Sequence, residues 1–97
     1  MWSDKPDYYT VHEYFDYNPD TGIMLWKKDK GRAKAGDAAG TVNAGGYLTV
    51  CFLGKKILIH KLAWFYVYET WPSHIYHVNK VKTDNRINNL VTLRDSW

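Results

Sequence analysis

The sequence predicts an α+β domain with a β-rich N-terminal half and one long buried helix, and three observations lead to this prediction. Short apolar stretches separated by glycine-containing turns fill residues 23–59, a spacing typical of β-hairpins. A nearly unbroken apolar segment covers residues 60–71, which is long enough for a helix. The chain has 97 residues, a length that fits one domain, so we expect a single unit spanning 1–97.

The first predicted elements are a short helix, a turn and a strand. Thr10, with Glu13 three residues later, forms a capping-box pattern that predicts a helix through Phe15. The string Tyr-Asn-Pro-Asp-Thr-Gly at 17–22 has strong turn chemistry, so we expect the helix to stop there. The apolar residues 23–26 then predict a strand.

The middle of the chain predicts more strands. Residues 40–43 indicate a brief strand, and residues 47–53 and 57–59 indicate a hairpin joined by a Gly-Lys-Lys turn at 54–56. Cys51 lies in this apolar run, so we expect it to be a small core residue.

The long helix is expected over 60–71, ended by Pro72, with Trp64 and Trp71 in the core. Its side chains are apolar nearly all round, which indicates burial between other elements. Residues 75–79 and 87–93 predict two further strands, separated by a polar loop.

Charge is distributed unevenly along the chain. The net charge is +3, but five acidic residues and one lysine give the first 20 residues −4 and leave +7 for the rest. A basic body is compatible with nucleic acid and an acidic front with a protein partner, while an ordinary solvated surface explains both. The densest basic stretch is the predicted loop Lys-Lys-Asp-Lys-Gly-Arg-Ala-Lys at 27–34. The candidate DNA-binding residues are Lys27, Lys28, Lys30, Arg32, Lys34, Lys55, Lys56, Lys80, Lys82 and Arg86.

Composition excludes several classes of protein. A single cysteine rules out a disulfide framework and a zinc site made of cysteines. The N-terminus lacks the layout of a signal peptide, and no apolar stretch is long enough to span a bilayer. We therefore expect a soluble protein in a reducing compartment, with no membrane partner.

A series of short motifs follows one order along the chain, over about residues 14–93. This series resembles the HNH endonucleases of phages and homing elements. The motifs are Tyr17-Asn18-Pro19-Asp20-Thr21-Gly22, Leu25-Trp26, Gly46-Tyr47-Leu48-Thr49-Val50, Gly54-Lys55, His60-Lys61-Leu62-Ala63-Trp64, Trp71-Pro72, His77-Val78-Asn79 and Asp84-Asn85-Arg86-Ile87-Asn88-Asn89-Leu90.

The resemblance implies a ββα-metal fold that holds one Mg²⁺ or Mn²⁺ ion against a scissile phosphate. By this match His77 corresponds to the general base and Asn89 to the asparagine that orients it. Asn85 and Arg86 correspond to a segment that we interpret as loop-forming. His60, at the start of the long helix, is expected to be a structural histidine with satisfied hydrogen bonds.

The chain departs from the family pattern at the metal ligands. Tyr76 stands where the family has a metal-binding aspartate, and Lys80 replaces a loop glycine. The second ligand belongs to a closing helix that would lie beyond Trp97. We therefore expect no metal site and no cofactor, with Mg²⁺ or Mn²⁺ involved only if nuclease activity survives, and we interpret His77 and Asn89 as vestigial catalytic residues.

Three functional hypotheses follow, and phage origin is implied by the resemblance. In the first, an inactive HNH-derived protein in the host cytoplasm inhibits a host defence nuclease complex, in the manner of an anti-CRISPR or anti-restriction protein. Tyr76 and Lys80 would then lie in the protein interface. In the second, the protein binds double-stranded DNA without cutting it. In the third, it is an active metal-dependent nicking endonuclease.

Overall fold

The computed structural model describes residues 7–29, 31, 33–52, 54–72 and 74–92. These residues form two helices and several short antiparallel strands, which confirms the predicted mixture of α and β structure. The elements are α1 (Tyr8–Tyr14), β1 (Phe15–Asn18), β2 (Ile23–Trp26), β3 (Thr41–Val42), β4 (Leu48–Phe52), β5 (Lys55–Leu58), α2 (Ile59–Tyr68), β6 (Ile75–His77), a 3-10 turn (Ile87–Asn89) and β7 (Leu90–Thr92).

Helix α1 begins at an aspartate rather than at the predicted threonine. Asp7 is the N-cap, and its Oδ2 accepts a hydrogen bond of 3.0 Å from the backbone N–H of Thr10. Aspartate is preferred over threonine at this position, and Asp7 has the spacing to Thr10 that a cap requires. The predicted cap at Thr10 is therefore wrong, and the helix stops one residue before Phe15.

Strands β1 and β2 form a hairpin of which only the second strand was predicted. Phe15 pairs with Trp26 and Tyr17 pairs with Met24, and all four side chains are buried in the core. The turn closes at Gly22, whose N–H donates to the carbonyl of Asn18 at 2.8 Å. Strand β1 was not predicted, because the sequence pattern assigns its first residues to the helix and its last residues to the turn.

Strands β3, β4 and β5 form a three-stranded sheet in that order. The alternation of β4 places Val50 and Phe52 in the core, so Cys51 between them points outward and is exposed. The prediction of a core cysteine is therefore wrong. Lys55 and Lys56 belong to β5, not to the preceding turn, and they are exposed.

Helix α2 packs against α1, β4 and β5 with one face. It is ten residues long and ends at Tyr68, followed by the C-cap Glu69, which adopts a left-handed conformation three residues before Pro72. Val67 and Tyr68 on its last turn are exposed, so the helix is not buried all round. Trp64 and Trp71 are half-buried and pack against the core instead of lying within it.

Strands β6 and β7 form a separate hairpin, in which Tyr76 pairs with Val91 and His77 with Leu90. The predicted strands at 75–79 and 87–93 are both shorter in the structure, and the 3-10 turn occupies the start of the second. Leu90 joins the core, so this hairpin is attached to the rest of the fold.

Within the described ranges, neither helix is long and apolar enough to cross a lipid bilayer.

Candidate functional site

The centre of the candidate site is His77, the last residue of β6, which is half-buried. Its Nε2 lies 2.8 Å from Oδ1 of Asn85. Since an amide oxygen only accepts, Nε2–H of His77 donates this bond. Asn85 therefore fixes both the orientation and the tautomer of the imidazole.

Asn85 is itself held by the first hairpin. Its side chain is 1% exposed, and its backbone carbonyl accepts a hydrogen bond from the hydroxyl of Tyr17. Burial, and after it Tyr68 and Asp84, raise the pKa of Tyr17 above its ordinary value. The hydroxyl therefore stays protonated and remains a donor to Asn85.

The turn between β1 and β2 lies against the loop that carries Asn85. A Cβ atom added to Gly22 would lie 2.4 Å from the backbone N of Arg86 and 2.6 Å from the carbonyl carbon of Asn85. In the same contact the N–H of Ile87 donates to the carbonyl of Pro19 at 3.1 Å. Only glycine allows this approach, and its φ of +77° also favours glycine.

Asn89, which the resemblance assigns to orienting His77, holds the loop that follows His77. Its Oδ1 accepts from the backbone N–H of Asn79 at 3.0 Å, and its Nδ2 donates to Oδ1 of Asn79 and to the carbonyl of Asp84 at 2.9 and 2.8 Å. The direct contact with His77 is made by Asn85, to which the sequence had given only a loop-forming role. Any catalytic role for His77 or Asn89 stays a prediction.

Asp84 lies in the loop between β6 and β7, and both of its carboxylate oxygens accept hydrogen bonds. Arg86 contacts it through two bonds, Nε to Oδ1 at 2.8 Å and Nη2 to Oδ2 at 2.7 Å, and Nδ2 of Asn79 donates to Oδ2 at 2.8 Å. The hydrogen bond from Arg86 is the main reason that the pKa of Asp84 lies well below its usual range. Asp84 therefore stays charged but has its oxygens occupied, and Arg86 has its charge balanced.

The described side chains around His77 do not fit a hard divalent cation. Tyr76, at the position that the resemblance assigns to a carboxylate, is a neutral phenol and is 48% exposed. Asp84 is committed to Arg86, and Asp95 lies outside the described residues. Across the ranges that the structure describes, no group of three or more His, Cys, Asp or Glu is placed to hold a metal. Mg²⁺ and Mn²⁺ favour several oxygen ligands, and this set does not offer them.

His60 lies directly beside His77 in the structure. The two rings are 4.9 Å apart between centroids and inclined at 68°, and the ring of Tyr47 lies 5.3 Å from that of His60. His60 is 4% exposed, and its Nδ1 has no hydrogen-bond partner in the described part of the chain. The expectation of a fully satisfied histidine is therefore wrong. Burial, followed by His77 and Lys61, lowers the pKa of His60 to about 4, which keeps it neutral.

Lys82 joins the loop of the site to the turn before β4. Its Nζ donates to the carbonyl of Gly45 at 2.9 Å and lies 5.0 Å from the centre of the Tyr47 ring. Because Tyr47 also contacts His60, these residues form a wall beside the histidine pair. Sequence reasoning had treated Lys82 only as a phosphate-binding charge.

Part of the predicted basic loop is neutralised. Lys28 forms an ion pair with Glu13, and Nζ of Lys34 lies 3.9 Å from Asp29. Lys27 donates to the carbonyl of His12 at 3.0 Å, which fastens the loop to the end of α1. The prediction for Lys30 and Arg32 lies outside the described residues.

Other predicted DNA-binding lysines are exposed. Lys56 and Lys80 have no ion pair within the described ranges, and Lys55 lies beside Lys56 on β5. Lys80 adopts a φ of +65°. This left-handed conformation is normally occupied by glycine, so a lysine at this position is strained.

Three apolar side chains form an exposed surface on the β6–β7 hairpin, which we call the hairpin patch. Tyr76 and Val91 are cross-strand partners, 48% and 44% exposed, and Val78 two residues on is 60% exposed. Other large apolar side chains, such as Tyr9 and Val42, are exposed as well, and these three are distinguished by being neighbours on one hairpin. The sequence had pointed to Tyr76 as an interface residue, but not to Val78 or Val91.

Comparison with known proteins shows the fold. No protein-family model matches the chain, and no curated protein matches it. A solved structure described as "DNA binding and cleavage by the HNH homing endonuclease I-HmuI" is similar, with a TM-score of 0.57 and 18% sequence identity. The similarity covers 93% of this chain and 53% of the nuclease chain, so this chain spans about half of that protein. At this identity the likeness shows an HNH-like fold alone.

Proposed function

We propose that this domain binds double-stranded DNA and does not cleave it with a metal centre of its own. The observation that carries the proposal is the set of side chains around His77. An HNH-like fold is present, while the residue before the histidine is a phenol, Tyr76, and the carboxylate of Asp84 in the following loop is already committed to Arg86. Such a set lacks the open oxygen ligands that metal-assisted hydrolysis needs.

Surface charge supports DNA as the partner. Lys56 and Lys80 are exposed and free of ion pairs within the described residues, whereas Lys28 and Lys34 are paired with acidic side chains. An unpaired lysine can replace a counterion on a phosphate at little cost, because no existing ion pair has to be broken. The solved neighbour carries DNA binding in its own description, which makes DNA the natural first ligand to test.

The experiment is a titration of a fluorescently labelled duplex of random sequence, followed by anisotropy at increasing salt. We expect the logarithm of the binding constant to fall linearly with the logarithm of the salt concentration. The slope should be about −0.9 for each phosphate contacted. Replacing Lys56 and Lys80 by Gln should reduce that slope by roughly two contacts. Replacing the paired Lys28 and Lys34 by Gln removes the same formal charge and should change the slope less. Absence of binding at low salt contradicts the proposal.

A second proposal, that the domain binds a protein such as a component of a host defence complex, is favoured by the hairpin patch. Exposed Tyr76 beside Val78 and Val91 offers amphipathic contact area of the kind found at the centres of interfaces. The test is a pull-down from nuclease-treated host lysate with the wild type and with a Tyr76→Ala/Lys80→Glu variant shown to be folded. If the wild type and the variant capture the same protein equally well, the interface does not depend on Tyr76 and Lys80.

A further inference from the structure

We propose that His60 and His77 form a two-imidazole site for a borderline divalent ion such as Zn²⁺. The site differs from the hard-ion centre implied by the HNH resemblance, which needs a carboxylate at the position of Tyr76. It also does not depend on DNA binding. It rests on the position of the two rings and on the hydrogen bonds that each does and does not make.

The first step concerns His77. Its Nε2–H donates to Oδ1 of the buried Asn85 at 2.8 Å, so Nδ1 is the ring nitrogen that is left for a ligand. Histidines that bind metals usually donate their second ring N–H to a carbonyl or carboxylate oxygen, and this bond fixes the tautomer and the ring. The bond to Asn85 therefore prepares His77 as a nitrogen ligand.

The second step concerns His60. Its side chain is 4% exposed, yet Nδ1 has no hydrogen-bond partner among the residues described. A buried polar atom without a partner costs free energy and calls for an explanation, such as a bound ion. A metal ion bound at Nδ1 would give this buried atom the partner that it lacks.

The third step is geometric. Two imidazole nitrogens at about 2.0–2.1 Å from one tetrahedral ion hold their ring centroids roughly 5 Å apart. The centroids of His60 and His77 are 4.9 Å apart and their planes are inclined at 68°. Imidazole ligands suit Zn²⁺, Cu²⁺ and Ni²⁺ and do not suit Mg²⁺. Because His77 is only partly buried, water would complete the coordination on its open side.

The test uses the full, tag-free chain and Zn²⁺ as the probe. We expect calorimetry to show one Zn²⁺ bound per chain and Mg²⁺ in excess to leave that binding unchanged. His77→Ala should weaken binding by at least about tenfold, since it removes half of the protein ligands. His74→Ala, which removes an exposed histidine, serves as the matched control and should bind as the wild type does.

Replacing the buried His60 could unfold the domain, so the decisive readout is made on the wild type. Long-range ¹H–¹⁵N spectra of the imidazole rings report each nitrogen separately. We expect Zn²⁺ to shift Nδ1 of both His60 and His77 at the same metal concentration. The proposal is overturned if Zn²⁺ does not bind, if the shifts are confined to His12 or His74, or if His77→Ala binds Zn²⁺ as tightly as the wild type.

Discussion

Nε2 of His77 lies 2.8 Å from Oδ1 of Asn85, and this bond joins the end of β6 to the loop that leads to β7. His77 ends β6, whereas the backbone carbonyl of Asn85 is bound by Tyr17 of β1. The orientation of the histidine therefore depends on the packing of the first hairpin against the loop before β7. A substitution that disturbs the β1–β2 turn should therefore change the orientation of the His77 ring.

Gly22→Ala tests this dependence. The added Cβ would lie 2.4 Å from the backbone of Arg86, so the turn and the loop must separate. Gly36→Ala is the matched control, because Gly36 also has a positive φ but no atom within 4 Å of the added Cβ. We expect the control to lose about 1–2 kcal/mol of unfolding free energy and Gly22→Ala to lose on the order of 3 kcal/mol or more.

Chemical denaturation of the two variants supplies these free energies, and NMR of His77 supplies the second readout. In folded Gly22→Ala the imidazole signals of His77 should shift, while in Gly36→Ala they should coincide with those of the wild type. Equal stabilities and equal His77 spectra would show that the turn does not support the loop.

Phe65→Ala should be the most damaging substitution on α2. Phe65 is buried and contacts the rings of Tyr8 and Trp71, so its loss leaves a cavity between both helices. Large aromatic-to-alanine changes in cores cost about 3–5 kcal/mol. Val67→Ala on the exposed side of the same helix should cost less than 1 kcal/mol, roughly the limit for surface positions. Thermal melts of both variants give the comparison, and similar melting temperatures would be inconsistent with the burial of Phe65.

Stability should fall as the pH is lowered from about 6.5 towards 4. The folded protein holds the pKa of His60 at about 4, below the ordinary value of 6.5, chiefly through burial. In that pH window His60 is protonated in the unfolded chain but not in the folded chain. This difference favours unfolding by an amount on the order of 2 kcal/mol. Above pH 6.5 both forms are neutral and this contribution to the pH dependence vanishes.

Denaturant titrations across this pH range measure the effect. His60→Gln, if folded, should flatten the slope in the window because the group that titrates differently in the two states is gone. His74→Ala should keep the wild-type slope. A wild-type stability that does not change between pH 6.5 and 4 would show that His60 is protonated as easily in the folded state as in the unfolded one.

Local chemistry in the sequence predicted most strands, but not the ones that depend on context. Strand β2 was located at Ile23–Trp26 because an apolar run follows a strong turn. Strand β1 was missed because Phe15 extends an apolar helical pattern equally well, and only its pairing with Trp26 decides the matter. Cys51 was misplaced because a continuous apolar run conceals the alternation of a strand.

The candidate site was predicted in part. His77 follows from the family resemblance, but its partner does not, because the spacing of the motif pointed to Asn89 while the folded loop presents Asn85. The pairing of His60 with His77 joins residues from α2 and β6 that no sequence period connects. The ion pairs of Lys28 and Arg86 also depend on distances that composition cannot supply, so the basic surface was overestimated.

The central claim, DNA binding without cleavage, is tested most directly on supercoiled plasmid incubated with the protein and Mg²⁺ or Mn²⁺. One half of each sample is run on a gel as it stands, and the other half after the protein has been removed by protease and detergent. The account predicts retarded plasmid in the first half and fully supercoiled plasmid in the second, for both the wild type and His77→Ala. Plasmid that is not retarded would contradict the binding, and open-circular product that disappears with His77→Ala would contradict the absence of cleavage.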